Sequence, residues 1–496
     1  MTEEHDTNPP AEAEPPAILQ PGRNCWRIAP ASRAALLPDA ATYFARLAQA
    51  FQQARHSILI IGWDFDGRIR LCPTEETCQP LGAMLRQLVE AKPELEIHIL
   101  VWSFAVVHAP SAPSELLLNQ AWEQHPRIHL KLDREHPVYA AHHQKIVCID
   151  DQLAFVGGID LTVKRWDTWR HKARDRRRID PEGDLYEPVH DMQMAVEGKA
   201  AEAVAAVARS RWQRARGEEP PPVPATERGE LWPPGLEPQF IDTEVAVART
   251  LPAWRTFPPV HEISALTLDA IAAARSCIYI EAQYFANFEV AELLEQSLRQ
   301  PTGPEVVVLM SRRLPGTLEQ FIMGRNRDRV LRRLMRADRH GRFGGYYTCS
   351  PSPGGDIDIL IHAKLMIIDD RFLKVGSANI NNRSVGLDTE CDLAIEAQGD
   401  ADRQSIATIR RQLLAGHLRV TPEELRAATV EHGSTIRAIR ALQAQGKGLR
   451  DFAGVSPNGR IGPVIGTALL DPKEPIGERW RRLGRRRSGR ATLAPS

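Results

Sequence analysis

The chain has 496 residues, 43% hydrophobic and 25% charged, ordinary values for a folded globular protein. Its 63 basic and 63 acidic residues cancel, which excludes a surface that is basic all over, as general nucleic-acid binding requires. Seven scattered cysteines, an odd number without metal-ligand spacing, point to a reducing compartment, and no stretch is apolar enough to span a bilayer.

Residues 1–22 are acidic and Pro-rich and read as a disordered tail without the features of a secretory signal. A first domain is expected over 23–215. It opens with a helix near 41–55, a strand at 57–63, a helix at 82–91 and a strand at 96–104. Residues 216–238, with Pro220-Pro221-Pro222, read as a linker. A second domain over 239–417 repeats the order, with helices at 263–274 and 290–300 and strands at 278–285 and 305–311. Apolar strands alternating with helices suggest a sheet covered on both faces. Residues 418–470 read as helical, with a capping box at Thr421-Pro422-Glu423-Glu424 and a helix over 434–445. Residues 471–496 form a basic tail, Arg-rich from 479 to 490.

Late in each half stands the same pattern. His143-Gln144-Lys145 with Asp150 is followed by Gly157-Gly158-Ile159-Asp160. His362-Ala363-Lys364 with Asp369 is followed by Gly376-Ser377-Ala378-Asn379. Each of His362, Lys364, Asp369 and Gly376 lies 219 positions after its counterpart, so a duplicated unit is the plain explanation. On a strand, a His and a Lys two residues apart share one face. Asp150 and Asp369 fall beyond the strand and read as structural anchors. The small pairs at Gly158 and Ser377 are expected to let a phosphate approach the backbone, with Ser377 and Asn379 as donors. Two opposed copies bring two imidazoles and two ammonium groups around one phosphodiester. Lys145 and Lys364 would neutralise the nonbridging oxygens without a metal or any other cofactor. Of His143 and His362, one imidazole can attack phosphorus while the other protonates the leaving oxygen. Such imidazoles need a carboxylate on the second nitrogen, and Asp191 and Glu390 follow the two motifs. His142 beside His143 points to the opposite face, so it reads as packed rather than as half of a metal pair. The basic run 164–178 with Trp166 and Trp169 is either a loop gripping anionic lipid or a solvated loop.

These motifs resemble the phospholipase D superfamily. His142-His143-Gln144-Lys145, Gly157-Gly158-Ile159-Asp160-Leu161, Arg165-Trp166-Asp167 and Val189-His190-Asp191 are similar to the first half of its lipid-hydrolysing branch. Ile278-Tyr279-Ile280-Glu281 with Gln283-Tyr284-Phe285, and Gly376-Ser377-Ala378-Asn379 with Asn382-Arg383-Ser384, are similar to its second half. The resemblance implies an α/β fold of two similar α/β/α sandwich halves, related by a pseudo-twofold, with one active site at their interface. It implies a phosphohistidine intermediate, with His143 as nucleophile, His362 as general acid, and Asp191 and Glu390 as their partners. It further implies a phospholipid substrate cleaved to phosphatidate and a head-group alcohol, with transphosphatidylation capacity. A cytoplasmic monomer, peripheral on the inner membrane face and without a stable nucleic-acid partner, is expected. The alternatives are a cardiolipin synthase-like phosphatidyltransferase and a nuclease or other phosphodiesterase of the same superfamily.

Overall fold

The computed structural model describes residues 16–75, 77–103, 120–224, 229–314, 316, 320–444, 448–452 and 454–475. The apolar runs become strands because β-branched side chains suit a surface buried on both faces. The first half holds β1 (Arg27–Leu37), β2 (Ser57–Gly62), β3 (Glu96–Trp102), β4 (Ile128–Asp133), β5 (Ile146–Ile149), β6 (Leu153–Gly157), β7 (Val189–His190) and β8 (Gln193–Glu197). Its helices are α1 (Ala40–Gln53), capped by Asp39, α2 (Leu81–Ala91) and α3 (Lys199–Arg216). The second half holds β9 (Phe240–Leu251), β10 (Val260–His261), β11 (Cys277–Ala282), β12 (Glu305–Met310), β13 (Phe343–Ser350), β14 (Ile357–Asp358), β15 (Leu360–Ile361), β16 (Lys364–Ile368), β17 (Phe372–Gly376) and β18 (Glu390–Glu396). Its helices are α4 (Glu262–Ala273), α5 (Phe288–Arg299), α6 (Arg325–Ala337) and α7 (Asp400–Leu418), followed by α8 (Pro422–His432), α9 (Thr435–Gln443) and the strand β19 (Leu449–Asp451). Both bonds of the capping box at Thr421 are present: Glu424 N donates to its hydroxyl at 3.1 Å and Thr421 N donates to the Glu424 carboxylate at 2.7 Å.

Strand pairing runs β4-β3-β2-β5-β6-β8-β1 through the first half. It crosses from β1 to β9 and continues β18-β17-β16-β11-β12-β13-β19. Apart from the added β19, the order reads the same from either end about the β1–β9 pair, which makes the two halves pseudo-symmetric. The register agrees: Ile61 lies opposite Ile146, and Glu281 lies opposite Leu365, which is 219 residues after Ile146. The joining strands β1 and β9 were not legible in the sequence. Neither is a continuous apolar run; β1 carries Pro30, Ser32 and Arg33.

Three apolar layers follow from this sheet. One packs α1 and α2 on the first half through Phe44, Leu47, Ile60 and Leu85. One packs α4 and α5 on the second through Leu266, Ile280, Leu294 and Val308. The third lies between the halves and includes Val156, Val204, Leu373 and Leu413, with α3 and α7. Each half is thus an α/β/α sandwich. The Pro-rich segment after α3 is tied to the first half: Val223 N donates to Asp151 Oδ2 at 2.9 Å, and Leu231 and Trp232 are buried. Among the described residues no helix is long and apolar enough to cross a membrane. The expected disordered tail over 1–22 is packed where it is described: Ile18 and Leu19 are buried and their amides donate to Glu396 Oε2 at 2.9 and 3.0 Å, while residues 1–15 and the arginines at 479–490 lie outside the described residues.

Candidate active site

The two motifs come to rest just ahead of β5 and at the start of β16. His143 and Lys145 precede β5 rather than lying on it, and His362 precedes β16. The reason is a second pairing that the leading residues make with the opposite half. His142 bridges to Thr389, and Ile361 pairs with His190. His143 N donates to Thr389 O at 2.9 Å, and His362 N donates to His190 O at 2.7 Å. Thr389 and His190 are the residues immediately before Glu390 and Asp191.

This exchange crosses the carboxylates. His143 Nδ1 lies 2.9 Å from Glu390 Oε2, and His362 Nδ1 lies 2.6 Å from Asp191 Oδ2. Each imidazole therefore takes its partner from the other half, a pairing that motif order left open. With Nδ1 committed, Nε2 is the nitrogen left for chemistry. Lys145 Nζ sits 2.9 Å from Asp160 Oδ2 and donates to His143 O at 3.1 Å. Lys364 Nζ donates to Gln283 Oε1 at 2.9 Å and also to His362 O.

Burial dominates the electrostatics. It pushes both His143 and His362 well below the ordinary histidine range, and the charges of Lys145 and Lys364 push the same way. Both effects favour the neutral form of each ring. Burial raises Glu390 to about 8, against donated hydrogen bonds from Ser377 and Ser384, and raises Asp191 to about 6. It lowers Lys364 to about 7. An anionic phosphodiester entering here favours the protonated form of every neighbouring base.

The small residues do something other than cradle phosphate. Gly158 N donates to Met192 O and Ser377 N to Cys391 O, so neither amide is available to a ligand. A Cβ on Gly158 would meet Asp191 Oδ1 at 2.1 Å. The glycine makes room for the carboxylate that holds His362. In the second half Ser377 occupies the corresponding place and donates its hydroxyl to Glu390 Oε2 at 2.6 Å. Gly158 and Ser377 thus belong to the carboxylates. Asn379 keeps a buried side-chain oxygen without a hydrogen-bond partner, while its backbone N donates to Ser384 Oγ. Gly158→Ala is expected to cost ~1–3 kcal/mol by overpacking and to reduce kcat about tenfold by displacing Asp191. Urea unfolding and steady-state kinetics on one preparation check both.

Asp150 accepts from the backbone amides of Arg55, His56 and Ser57, and Asp369 accepts from those of Arg275, Ser276 and Cys277. These carboxylates tie the end of each motif to the start of the neighbouring strand. His142 is buried, with Nδ1 2.9 Å from Asp133 Oδ2. The basic run divides. Trp166 and Arg178 are buried, Arg178 pairing with Asp167 at 3.0 Å, while Arg170, Lys172, Arg174 and Arg176 are exposed. Three contributors escaped the sequence reading. Gln283 holds Lys364; Ser384 Oγ donates to Glu390 Oε1 at 2.8 Å; and the Arg165 charge acts on His362, Asp191 and Lys364. Gln283 and Ser384 stand within the second-half motifs, which was the available signal.

A family model described as "Phospholipase D" matches residues 50–227, and one described as "Cardiolipin synthase, PLD-like domain" matches residues 267–412. Phospholipase D A of Dictyostelium discoideum is 26% identical over 74% of this chain and 33% of its own length. Phospholipase D alpha 4 of Arabidopsis thaliana is 23% identical over 80% of this chain and 66% of its own. The chain therefore spans between a third and two thirds of these relatives. The crystal structure of phosphatidylserine synthase from Haemophilus influenzae Rd KW20 superposes with a TM-score of 0.53 at 12% identity, covering 92% of this chain and 96% of that one, a likeness of fold. The duplicated motif, the pseudo-symmetric sandwich and these matches agree: this chain belongs to the phospholipase D superfamily.

Proposed function

We propose that the chain is a phospholipase D-type phosphodiesterase, hydrolysing a glycerophospholipid to phosphatidate and a free head-group alcohol. The observation that carries this reading is the pair of crossed imidazole–carboxylate contacts around Lys145 and Lys364. In the proposed mechanism His143 Nε2 attacks phosphorus while its Nδ1 stays hydrogen-bonded to the Glu390 carboxyl group, 2.9 Å away. A neutral ring is the nucleophilic form, which the burial of His143 favours. The phosphorus–oxygen bond to the head group breaks, and His362 delivers its proton to the departing oxygen. The bound phosphate anion favours that proton on His362. Water then attacks the phosphohistidine, gives its proton to His362, and releases phosphatidate and free His143. The two ammonium groups stabilise charge on the nonbridging oxygens in both steps. Asn379 is a candidate phosphate donor.

A second reading, phosphatidyl transfer to an alcohol, is favoured by the family model that matches the second half. Both share the covalent step and differ in the acceptor. A panel of phospholipids incubated with purified protein, with products read by mass spectrometry, is expected to yield phosphatidate. Ethanol at increasing concentration is expected to divert the product to phosphatidylethanol, because a primary alcohol competes with water for the intermediate. Absence of cleavage across the panel, with cleavage of a nucleic acid instead, would replace the lipid reading. The exposed Arg170, Lys172, Arg174 and Arg176 suit contact with an anionic lipid surface.

A further inference from the structure

Beneath the Asp191–His362 pair lies a buried polar cluster built from both halves. His190 Nε2 lies 2.6 Å from Glu281 Oε2, and His417 Nε2 lies 3.1 Å from Glu281 Oε1. Tyr279 donates its hydroxyl to the same Oε1 at 2.6 Å. On the other side, His190 Nδ1 lies 3.2 Å from His171 Nε2, and His171 Nδ1 lies 2.9 Å from Asp167 Oδ2. The ring of Trp169 packs against all three histidines. Every one of the hydrogen-bonding side chains is buried.

The pseudo-symmetry shows that the fold does not require this cluster. Glu281 on β11 pairs with Leu365; its counterpart on β2, pairing with Ile146, is Ile61. One half fills the position with an apolar side chain and the other with a carboxylate. Burying charge is costly, and a well-packed apolar residue serves stability as well or better. The difference falls beside Asp191. His190 is the residue before it, and the His190 carbonyl also receives the His362 amide. Its counterpart before Glu390 is Thr389, which does not titrate.

We propose that Glu281 and His190 are positioning residues for the Asp191–His362 pair: Glu281 holds a proton on His190, and the imidazolium keeps Asp191 ionised and aimed at His362. This rests on the phosphodiesterase reading and deepens it. Burial lowers His190, but the facing charges, Glu281 foremost, outweigh it and raise His190 above its ordinary value. The other groups facing it are Asp191, Asp39 from the cap of α1, His171 with Asp167 behind it, and His417 from α7. Burial raises Asp191, and Lys364, the Met192 amide, Arg165 and His190 oppose that rise, in that order. The three groups His190, Glu281 and His417 could also gather around a cation. The direct contacts at 2.6 and 3.1 Å are hydrogen-bond distances and favour a shared proton.

The test begins with wild-type protein on a phosphodiester it cleaves; no cleavage at all defeats the parent reading, not this one. The kcat/KM profile of Glu281→Gln should then show its acid limb moved upward by about half to one pH unit, since Asp191 loses the cation beside it. At the optimum kcat should fall about tenfold with KM little changed. Tyr279→Phe leaves the carboxylate charged and should leave the acid limb in place. An unmoved limb in Glu281→Gln, or an equal shift in Tyr279→Phe, would overturn the proposal. If Glu281→Gln fails to fold, 15N-histidine spectra of the wild type decide. They should contain a histidine that stays doubly protonated above the ordinary titration range, and its absence would overturn the proposal. So would stoichiometric zinc in the purified protein, because the metal would take the place of the shared proton.

Discussion

His143→Ala should abolish cleavage of both phosphatidylcholine and a nitrophenyl phosphodiester, whereas His362→Ala should separate them. On the proposed assignment His143 forms the bond to phosphorus, and loss of a nucleophile costs on the order of 10⁴-fold or more whatever the leaving group. His362 supplies a proton. Choline leaves as a poor alkoxide and needs that proton in the transition state, a contribution of about 10²–10⁴-fold. A nitrophenolate leaves without one. His362→Ala should therefore release a stoichiometric burst of nitrophenolate and then stall, because the same ring activates water for the second step. Rapid-quench kinetics with both substrates measures this. A burst in His143→Ala and none in His362→Ala would reverse the roles, which the crossed geometry permits because each ring holds its own carboxylate. Equal loss on both substrates in both variants would remove the assignment.

Lys364→Met should lower kcat by about 10²–10³-fold, the loss typical of one donor to a developing oxyanion. The accompanying pH dependence is more specific. Burial lowers Lys364 to about 7 and raises Asp191 to about 6. The free enzyme needs Lys364 charged and Asp191 ionised. Thus kcat/KM should climb as pH rises through about 6, when Asp191 loses its proton. It should fall as pH rises through about 7, when Lys364 loses its own. Lys364→Arg keeps a charge at all these pH values, because a guanidinium does not titrate there. Its activity should be reduced by altered geometry, but its basic limb should move upward. A basic limb unmoved in Lys364→Arg would assign that limb to another group. Phosphate binding in the ground state should weaken less than kcat falls, since the ammonium acts most strongly where charge develops.

Much of this was legible in local pattern. The helices α1, α2, α4 and α5 and the strands β2, β3, β11 and β12 lie where periodicity placed them, within a few residues. Amphipathic helices and doubly buried strands carry their signal in their own side chains. Strands β1 and β9 do not, since their stability comes from pairing with each other across about 200 residues. The glycines show the same limit. A small residue after a strand announces a close approach but not what approaches. At Gly158 it is Asp191, and at Ser377 the hydroxyl itself reaches Glu390. Glu281 stood in plain view within an apolar run, yet only its register against Leu365 identified Ile61 as its counterpart.

The sequence by itself determined the duplication, the membership of the superfamily, and the two histidines and two lysines that meet at the site. These follow from residue types at short spacing, which a strand or turn translates directly into a shared face. Only the tertiary structure decided which carboxylate serves which imidazole. That choice is made where His142 bridges to Thr389 and Ile361 pairs with His190, contacts between segments far apart in the chain. For His143, Glu390 in the other half, 247 residues away, and Asp191, 48 residues away, look equally eligible in a linear sequence. Backbone hydrogen bonds between the halves separate them, because a one-residue slip in either pairing would turn the carboxylate to the opposite face.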